Sequence, residues 1–267
     1  MTGGQAAVYA LAALVLWLTA RVLRGGWRLP AGQVTPNITP SSAIVGTLAI
    51  AAAMYFFGPV VGLLLILSIV VHEFGHVAAF RVAGHTDARL RLIPMLGGVA
   101  ISDRLPSSQA KDAYISLMGP GICLALVALC LAAEQVLDTA WPQMAHYVYL
   151  FGMLTAALNA FNLLPIWPLD GGHVLRRVLY TLSPKLAHNA TLALSGVAAL
   201  LLALSGHIFL IFFLIIGLQS AMQMPKVEAL QRPMTGREAA FAAGAWIAML
   251  ASFGLAGSPI LLYYLAA

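Results

Sequence analysis

Apolar residues fill this chain in long runs, and the polar residues collect in short intervals between them. A helix needs about 17 to 25 such residues to cross a bilayer. Eight stretches approach or exceed that length, at about 6–22, 42–57, 59–83, 112–133, 143–164, 187–205, 206–224 and 238–264. The second is short, and Gly58-Pro59 divides it from the third, which predicts a tight helical hairpin. Gly257-Ser258-Pro259 interrupts the last, so that segment reads either as one kinked helix or as a helix with a short re-entrant piece. Between the first two stretches, residues 23–41 carry Pro30, Pro36 and Pro40 and read as a linker. The first stretch lacks a basic lead-in and ends in arginines instead of a small-residue cleavage site, so it is read as a retained span. The expected fold is an all-α polytopic membrane protein with about eight transmembrane helices.

Composition agrees with this pattern. Hydrophobic residues make up 61% of the 267 and charged residues 9%, with a mean hydropathy of +0.91. Soluble domains hold roughly 45–50% apolar and 25% charged residues. A soluble enzyme, a secreted domain and a disordered regulator are therefore excluded. The bilayer is the expected solvent and partner, and the cell membrane the expected location. Cys123 and Cys130 lie seven residues apart in one apolar run and read as small buried hydrophobes, not as a disulfide framework or a zinc knuckle.

Charge then orients the spans. All fourteen Lys and Arg fall in intervals on one side if eight spans alternate, at positions 21, 24, 28, 81, 89, 91, 104, 111, 176, 177, 185, 226, 232 and 237. The positive-inside rule makes that side cytoplasmic, with the N-terminus outside and the third span descending toward the cytoplasm. The opposite intervals carry Glu134 and Asp138 and no basic residue. Scattered in this way, the cations form no basic stripe with interleaved aromatics, and nucleic acid is not an expected partner.

The chemistry sits at the end of the third stretch, in His72-Glu73-Phe74-Gly75-His76. On a helix, His72 and His76 lie one turn apart on one face, where both rings can reach a single metal ion with Glu73 beside it. For a chain of this composition the chance expectation of HExxH is about 0.002. A carboxylate this deep in an apolar helix also costs on the order of 2.5–3.5 kcal/mol, and residues that bear such a cost generally have a partner. Two histidines leave tetrahedral zinc short of one protein ligand and one open position. Outside the motif, Asp170 is the acid set in an apolar, proline-punctuated context, Asn162-Leu-Leu-Pro165-Ile-Trp-Pro168-Leu-Asp170-Gly171-Gly172-His173. Pro165 and Pro168 break the fifth span. Gly171 and Gly172 allow a sharp reversal that would aim the Asp170 carboxylate at a neighbouring helix. Both motif-bearing spans run from outside to cytoplasm, so their polar ends are expected near the cytoplasmic leaflet.

The two motifs together, separated by about ninety residues, resemble the site-2 protease family of intramembrane zinc metalloproteases. The resemblance covers about 59–180 and implies a core of three helices, organised as N-terminal spans and linker (1–58), a catalytic membrane core (59–185) and C-terminal spans (186–267). It implies one zinc ion held by His72, His76 and Asp170, with Glu73 as catalytic base and Asn162 polarising or holding the substrate carbonyl. The segment 88–101, alternating at first and then apolar with Gly97-Gly98, resembles the family's re-entrant β-hairpin. An exposed strand edge there would pair with an unwound substrate, so Gly97, Gly98 and Pro165 are the expected substrate-binding residues. Gly119-Pro120-Gly121 resembles the family's glycine-proline feature, with close helix packing as the plain alternative.

Single-span or membrane-anchored proteins are the clients that the resemblance implies. The sequence resembles a short form, without a PDZ insertion between the motifs or a CBS tail, so gating falls to the membrane helices or to a regulatory membrane partner. Two other readings stay open: a non-catalytic zinc-binding membrane protein or transporter, and a zinc protease with Glu134 or Glu228 as third ligand. The first leaves Glu73 without a task. The second rests on glutamates read as loop residues.

Overall fold

The computed structural model describes residues 3–27, 40–93, 97–205 and 208–266. Helices α1 (Gly3–Val22), α2 (Pro40–Phe57), α3 (Pro59–Val82), α4 (Gln109–Leu137), α5 (Pro142–Asn162), α7 (Pro184–Leu204), α8 (Ile208–Glu228) and α9 (Gly236–Ala266) occupy the eight apolar stretches. The short α6 (Asp170–Tyr180) and strands β1 (Arg89–Ile93) and β2 (Gly97–Ile101) complete the order. Among the described residues, six helices are long and apolar enough to cross a membrane, and Gly46–Phe57 is a shorter apolar helix. Residues 28–39 of the expected linker, and His207, lie outside the described residues.

The chain divides into two compact units, the first comprising 1–103, 118–160 and 251–267 and the second 104–117 and 161–250. In the first unit, α2 and α3 form the expected hairpin. Gly58 turns the chain at φ 81° and Pro59 opens α3, where its missing N–H removes no helical bond. Small residues then let the helices close up: a side chain at Gly62 would strike the Ala53 backbone, and one at Gly75 the Met118 carbonyl. The last apolar stretch is one helix through Gly257 and Pro259, without a re-entrant piece. Gly257 lies against the Ala156 and Ala157 backbone of α5, so this glycine serves close packing instead of a break. Leu11, Leu14, Trp17 and Leu18 of α1 face outward, as suits a lipid solvent.

The segment after α3 is an antiparallel hairpin, with Arg89 opposite Ile101 and Ile93 opposite Gly97. Residues 94–96 at its tip lie outside the described residues. It packs against α3, and β1 also meets α2. A polar knot closes its base. Ser102 donates to Asp87 at 3.0 Å and accepts from the His85 ring at 2.8 Å, while Arg89 grips Asp103 with two bonds of 2.9 and 2.8 Å. His85, to which the sequence assigned no chemistry, is therefore part of the hairpin's foundation.

In the second unit, α6 and α8 each pack against α7. Gly171 and Gly172 correct an expectation. Neither has positive φ; both lie in the first turn of α6, where any side chain would strike the backbone of 163–167. They permit close approach, not reversal. Two charges also change their meaning. Arg176 and Arg177, counted above as loop cations, are 1% exposed on α6. Glu228, read above as a loop residue, ends α8 and binds both: Arg176 at 2.6 and 2.9 Å, Arg177 at 2.6 Å. Arg177 also reaches Asp112 at 2.7 Å. Glu134 likewise lies within a helix, α4.

Candidate metal centre

The sequence builds the centre from two apolar helices of the first unit that each carry polar residues four apart. Such residues share a helix face. Ser68 and His72 lie on α3, Thr155 and Asn159 on α5, and all four are buried. Ser68 Oγ meets Thr155 Oγ1 at 2.6 Å, and His72 Nδ1 meets Asn159 Oδ1 at 2.8 Å. Both pairs are separated by 87 residues, so α3 and α5 run parallel, as their expected topology requires. Asn159 Nδ2 also donates to the Thr155 carbonyl at 2.8 Å. Polar groups that would otherwise stand unpaired in an apolar bundle are thereby satisfied across the seam.

One turn further along α3, His76 Nε2 lies 3.1 Å from His72 Nε2, with the rings nearly perpendicular at 82°. Each residue of the His72, Glu73 and His76 group offers one ligand atom, and these atoms lie within 4.8 Å of one another. The group is 3–9% exposed. The fit to a metal can be judged from these distances. Two nitrogens bound to one tetrahedral zinc at about 2.0–2.1 Å stand about 3.3 Å apart, close to the spacing seen. Gly119 of α4 keeps the space open, because a Cβ there would collide with the His76 ring and crowd His72 Nε2. The two imidazoles, the carboxylate and the glycine-made gap suit a divalent cation.

The remaining expected site residues occupy the second unit or the hairpin. Asn162 ends α5, and Leu163 to Leu169 form the break that Pro165 and Pro168 impose before Asp170 opens α6. Asn162, Pro165 and Asp170 are half-buried. Trp167 holds this break in place. Its backbone N–H donates to Ser195 Oγ at 3.1 Å, its indole N–H to Ser220 Oγ at 2.8 Å, and its ring stacks on His173 at 3.9 Å. Trp246 adds an indole bond of 2.8 Å to the Leu163 carbonyl. Gly97 and Gly98 pair with Ile93 and Leu92 at the start of β2. Ser68, Thr155 and Asn159 received no role from the sequence. Their matching four-residue spacings inside two apolar spans were the available signal.

Among the described residues, His72, Glu73 and His76 thus form a buried cluster that could hold a metal ion, in a chain with six helices long and apolar enough to cross a membrane. Comparison with known proteins carries this further. Residues 133–205 match the model of peptidase family M50. A zinc metalloprotease of Methanocaldococcus jannaschii is 29% identical over 193 residues, covering 68% of this chain and 55% of that protein. Stage IV sporulation protein FB of Bacillus subtilis is 31% identical over 115 residues, 42% of this chain and 38% of that protein. Among solved structures, the site-2 protease of Methanocaldococcus jannaschii is 28% identical and aligns with a TM-score of 0.47, covering 68% of this chain and 87% of that one. The chain thus spans about half or less of the length of these curated relatives. The family match and the sequence relatives bear out the resemblance to the site-2 proteases of peptidase family M50.

Proposed function

We propose that this protein is an intramembrane zinc metalloprotease that cuts membrane-anchored proteins within or near their spans, with its centre toward the cytoplasmic leaflet. The observation that carries this reading is the buried His72, Glu73 and His76 cluster on an apolar helix, in a chain related to zinc metalloproteases. His72 and His76 hold the ion and Asp170 completes its protein ligands. Zinc bound there supplies a water activated near neutral pH and a Lewis acid for the scissile carbonyl. Glu73 takes a proton from the attacking water on its carboxylate and returns it to the leaving amine nitrogen. Asn162 donates from its amide to the carbonyl oxygen as charge develops. The β2 edge, beginning at Gly97 and Gly98, pairs with the client once that client unwinds, and Pro165, in the non-helical backbone before α6, is a further substrate-binding residue. A helical substrate hides its carbonyls in its own hydrogen bonds, so helix-weakening residues near the cut favour cleavage.

The test is purification in detergent, zinc quantification and cleavage of a panel of single-span peptides. Glu73→Gln should keep the zinc and lower the cleavage rate by about 10²–10⁴-fold, the usual worth of a general base. Asp170→Ala should lose the zinc. Full cleavage by Glu73→Gln would favour a non-catalytic zinc carrier, and zinc retained by Asp170→Ala would remove the third ligand.

A further inference from the structure

We infer that Asn159 is a positioning residue for the metal centre: it fixes the tautomer and ring plane of His72 so that Nε2 presents a lone pair beside His76. The inference rests on the reading that His72 and His76 hold a metal ion. It adds a residue outside both motifs.

The Asn159 amide has one group that donates, Nδ2, and one that accepts, Oδ1. The Thr155 carbonyl, 2.8 Å away, can only accept, so Nδ2 must face it. The other orientation would set two oxygens against each other. Oδ1 is thereby committed to His72 Nδ1 at 2.8 Å, and Nδ1 must carry the hydrogen of that bond. A neutral imidazole protonated at Nδ1 is bare at Nε2. That nitrogen lies 3.1 Å from His76 Nε2, on the side that Gly119 leaves open. The chain from the Thr155 carbonyl through Asn159 to His72 thus selects which nitrogen is offered and pins the ring that offers it.

Burial strengthens the selection. Asn159 and Thr155 are fully buried and His72 is 3% exposed, so no solvent competes for Nδ1 or rotates the amide. Metal-binding histidines generally donate their second N–H to a fixed acceptor, and loss of that acceptor typically lowers metal affinity 10–100-fold. The neighbouring rung supplies a built-in control. Ser68 and Thr155 join the same two helices one turn away, and there the Ser68 hydroxyl bonds to Thr155. Removing it loosens the seam while leaving the His72 acceptor in place.

The experiment measures zinc affinity by chelator competition, and the visible spectrum of the cobalt-substituted protein, for wild type, Asn159→Leu, Asn159→Asp and Ser68→Ala in detergent. Asn159→Leu keeps the volume and removes the acceptor; zinc affinity should fall 10–100-fold and the cobalt bands should shift. Asn159→Asp, protonated on the oxygen that faces the Thr155 carbonyl, retains both that bond and an acceptor for Nδ1–H, and should recover most of the affinity. Ser68→Ala should bind zinc as wild type does. Wild-type affinity in Asn159→Leu, or an equal loss in Ser68→Ala, would overturn the assignment. A measurement on unsubstituted protein stands beside these. Nitrogen-15 shifts of His72 in the metal-free chain should report the ring protonated at Nδ1, and a ring protonated at Nε2 would overturn the assignment even if no variant folds. A wild type that binds no stoichiometric metal would instead refute the metal reading itself.

Discussion

Two buried polar clusters of this protein solve the same problem by opposite means. The seam between α3 and α5 is built from Ser68, His72, Thr155 and Asn159, with each contact made between neutral groups. The cluster in the second unit is ionic throughout: Arg176 and Arg177 face Glu228 and Asp112, two charges of each sign. Within the seam the Thr155–Asn159–His72 bonds deliver one ring nitrogen in a chosen state. The ionic cluster delivers no chemistry of its own. It ties α6, the helix that Asp170 opens, to the end of α8 and the start of α4. A functional lone pair is held by weak bonds of fixed direction, and a structural joint by strong bonds that tolerate no loss.

That contrast is broken most forcefully at Glu228. Its carboxylate accepts three bonds from the two guanidinium groups, and the residue is 2% exposed. Glu228→Ala leaves both arginines buried, with Asp112 bonded to Arg177 alone, and stranding a buried charge costs about 3–5 kcal/mol. The thermal midpoint in detergent, followed by tryptophan fluorescence, should fall steeply, because Trp167 stacks beneath this region and Arg176 lies 5.9 Å over its ring. An unchanged midpoint would mean that the cluster is hydrated in solution and bears no load. The seam should be far more forgiving. Ser68→Ala removes one neutral bond worth about 0.5–1.5 kcal/mol, and Thr155 can turn its hydroxyl to a carbonyl of its own helix. A loss as large as that of Glu228→Ala would erase the distinction between the two clusters.

The same contrast explains what could be read from the sequence. His72-Glu73-x-x-His76, the Gly58-Pro59 turn and the break at Pro165 and Pro168 are local: spacing along one segment determines each of them. The hairpin was legible through the family resemblance, which the alternation and the glycine pair of 88–101 carry. Asn159 was not, because its partner is chosen by the register of two spans 87 residues apart, which no local pattern expresses. Arg176 and Arg177 misled for a related reason. A charge near a span end reads as solvated until its counter-charge is found, and Glu228 lies 52 residues beyond Arg176. Gly171-Gly172 misled by analogy with turns, when the pair serves as the flat face of a short helix. Asp170 was legible as a residue, and its role as ligand rests on the motif.

The least consequential cluster sharpens the comparison from its other end. Arg89 and Asp103 form a two-pronged ion pair at the base of the hairpin, geometrically as good as the Arg176–Glu228 pair, but their side chains are 54% and 66% exposed. The hydrogen bond from Arg89 holds the Asp103 carboxyl below the usual aspartate range. A lowered value means that the pair's contribution is complete above the ordinary aspartate pKa and fades as pH falls through the lowered one. The pair's contribution to the hairpin's resistance to proteolytic nicking, read as the difference between wild type and Arg89→Ala, should therefore be flat from about pH 8 to pH 5, both of which lie above the ordinary aspartate value. Arg89→Ala should change that resistance little at any pH in that window, since exposed pairs contribute least. Moderate salt should act as weakly as the substitution. A marked loss in Arg89→Ala would show that good geometry suffices without burial, and the strength assigned to the Glu228 cluster would then come from its geometry and not from its exclusion of solvent.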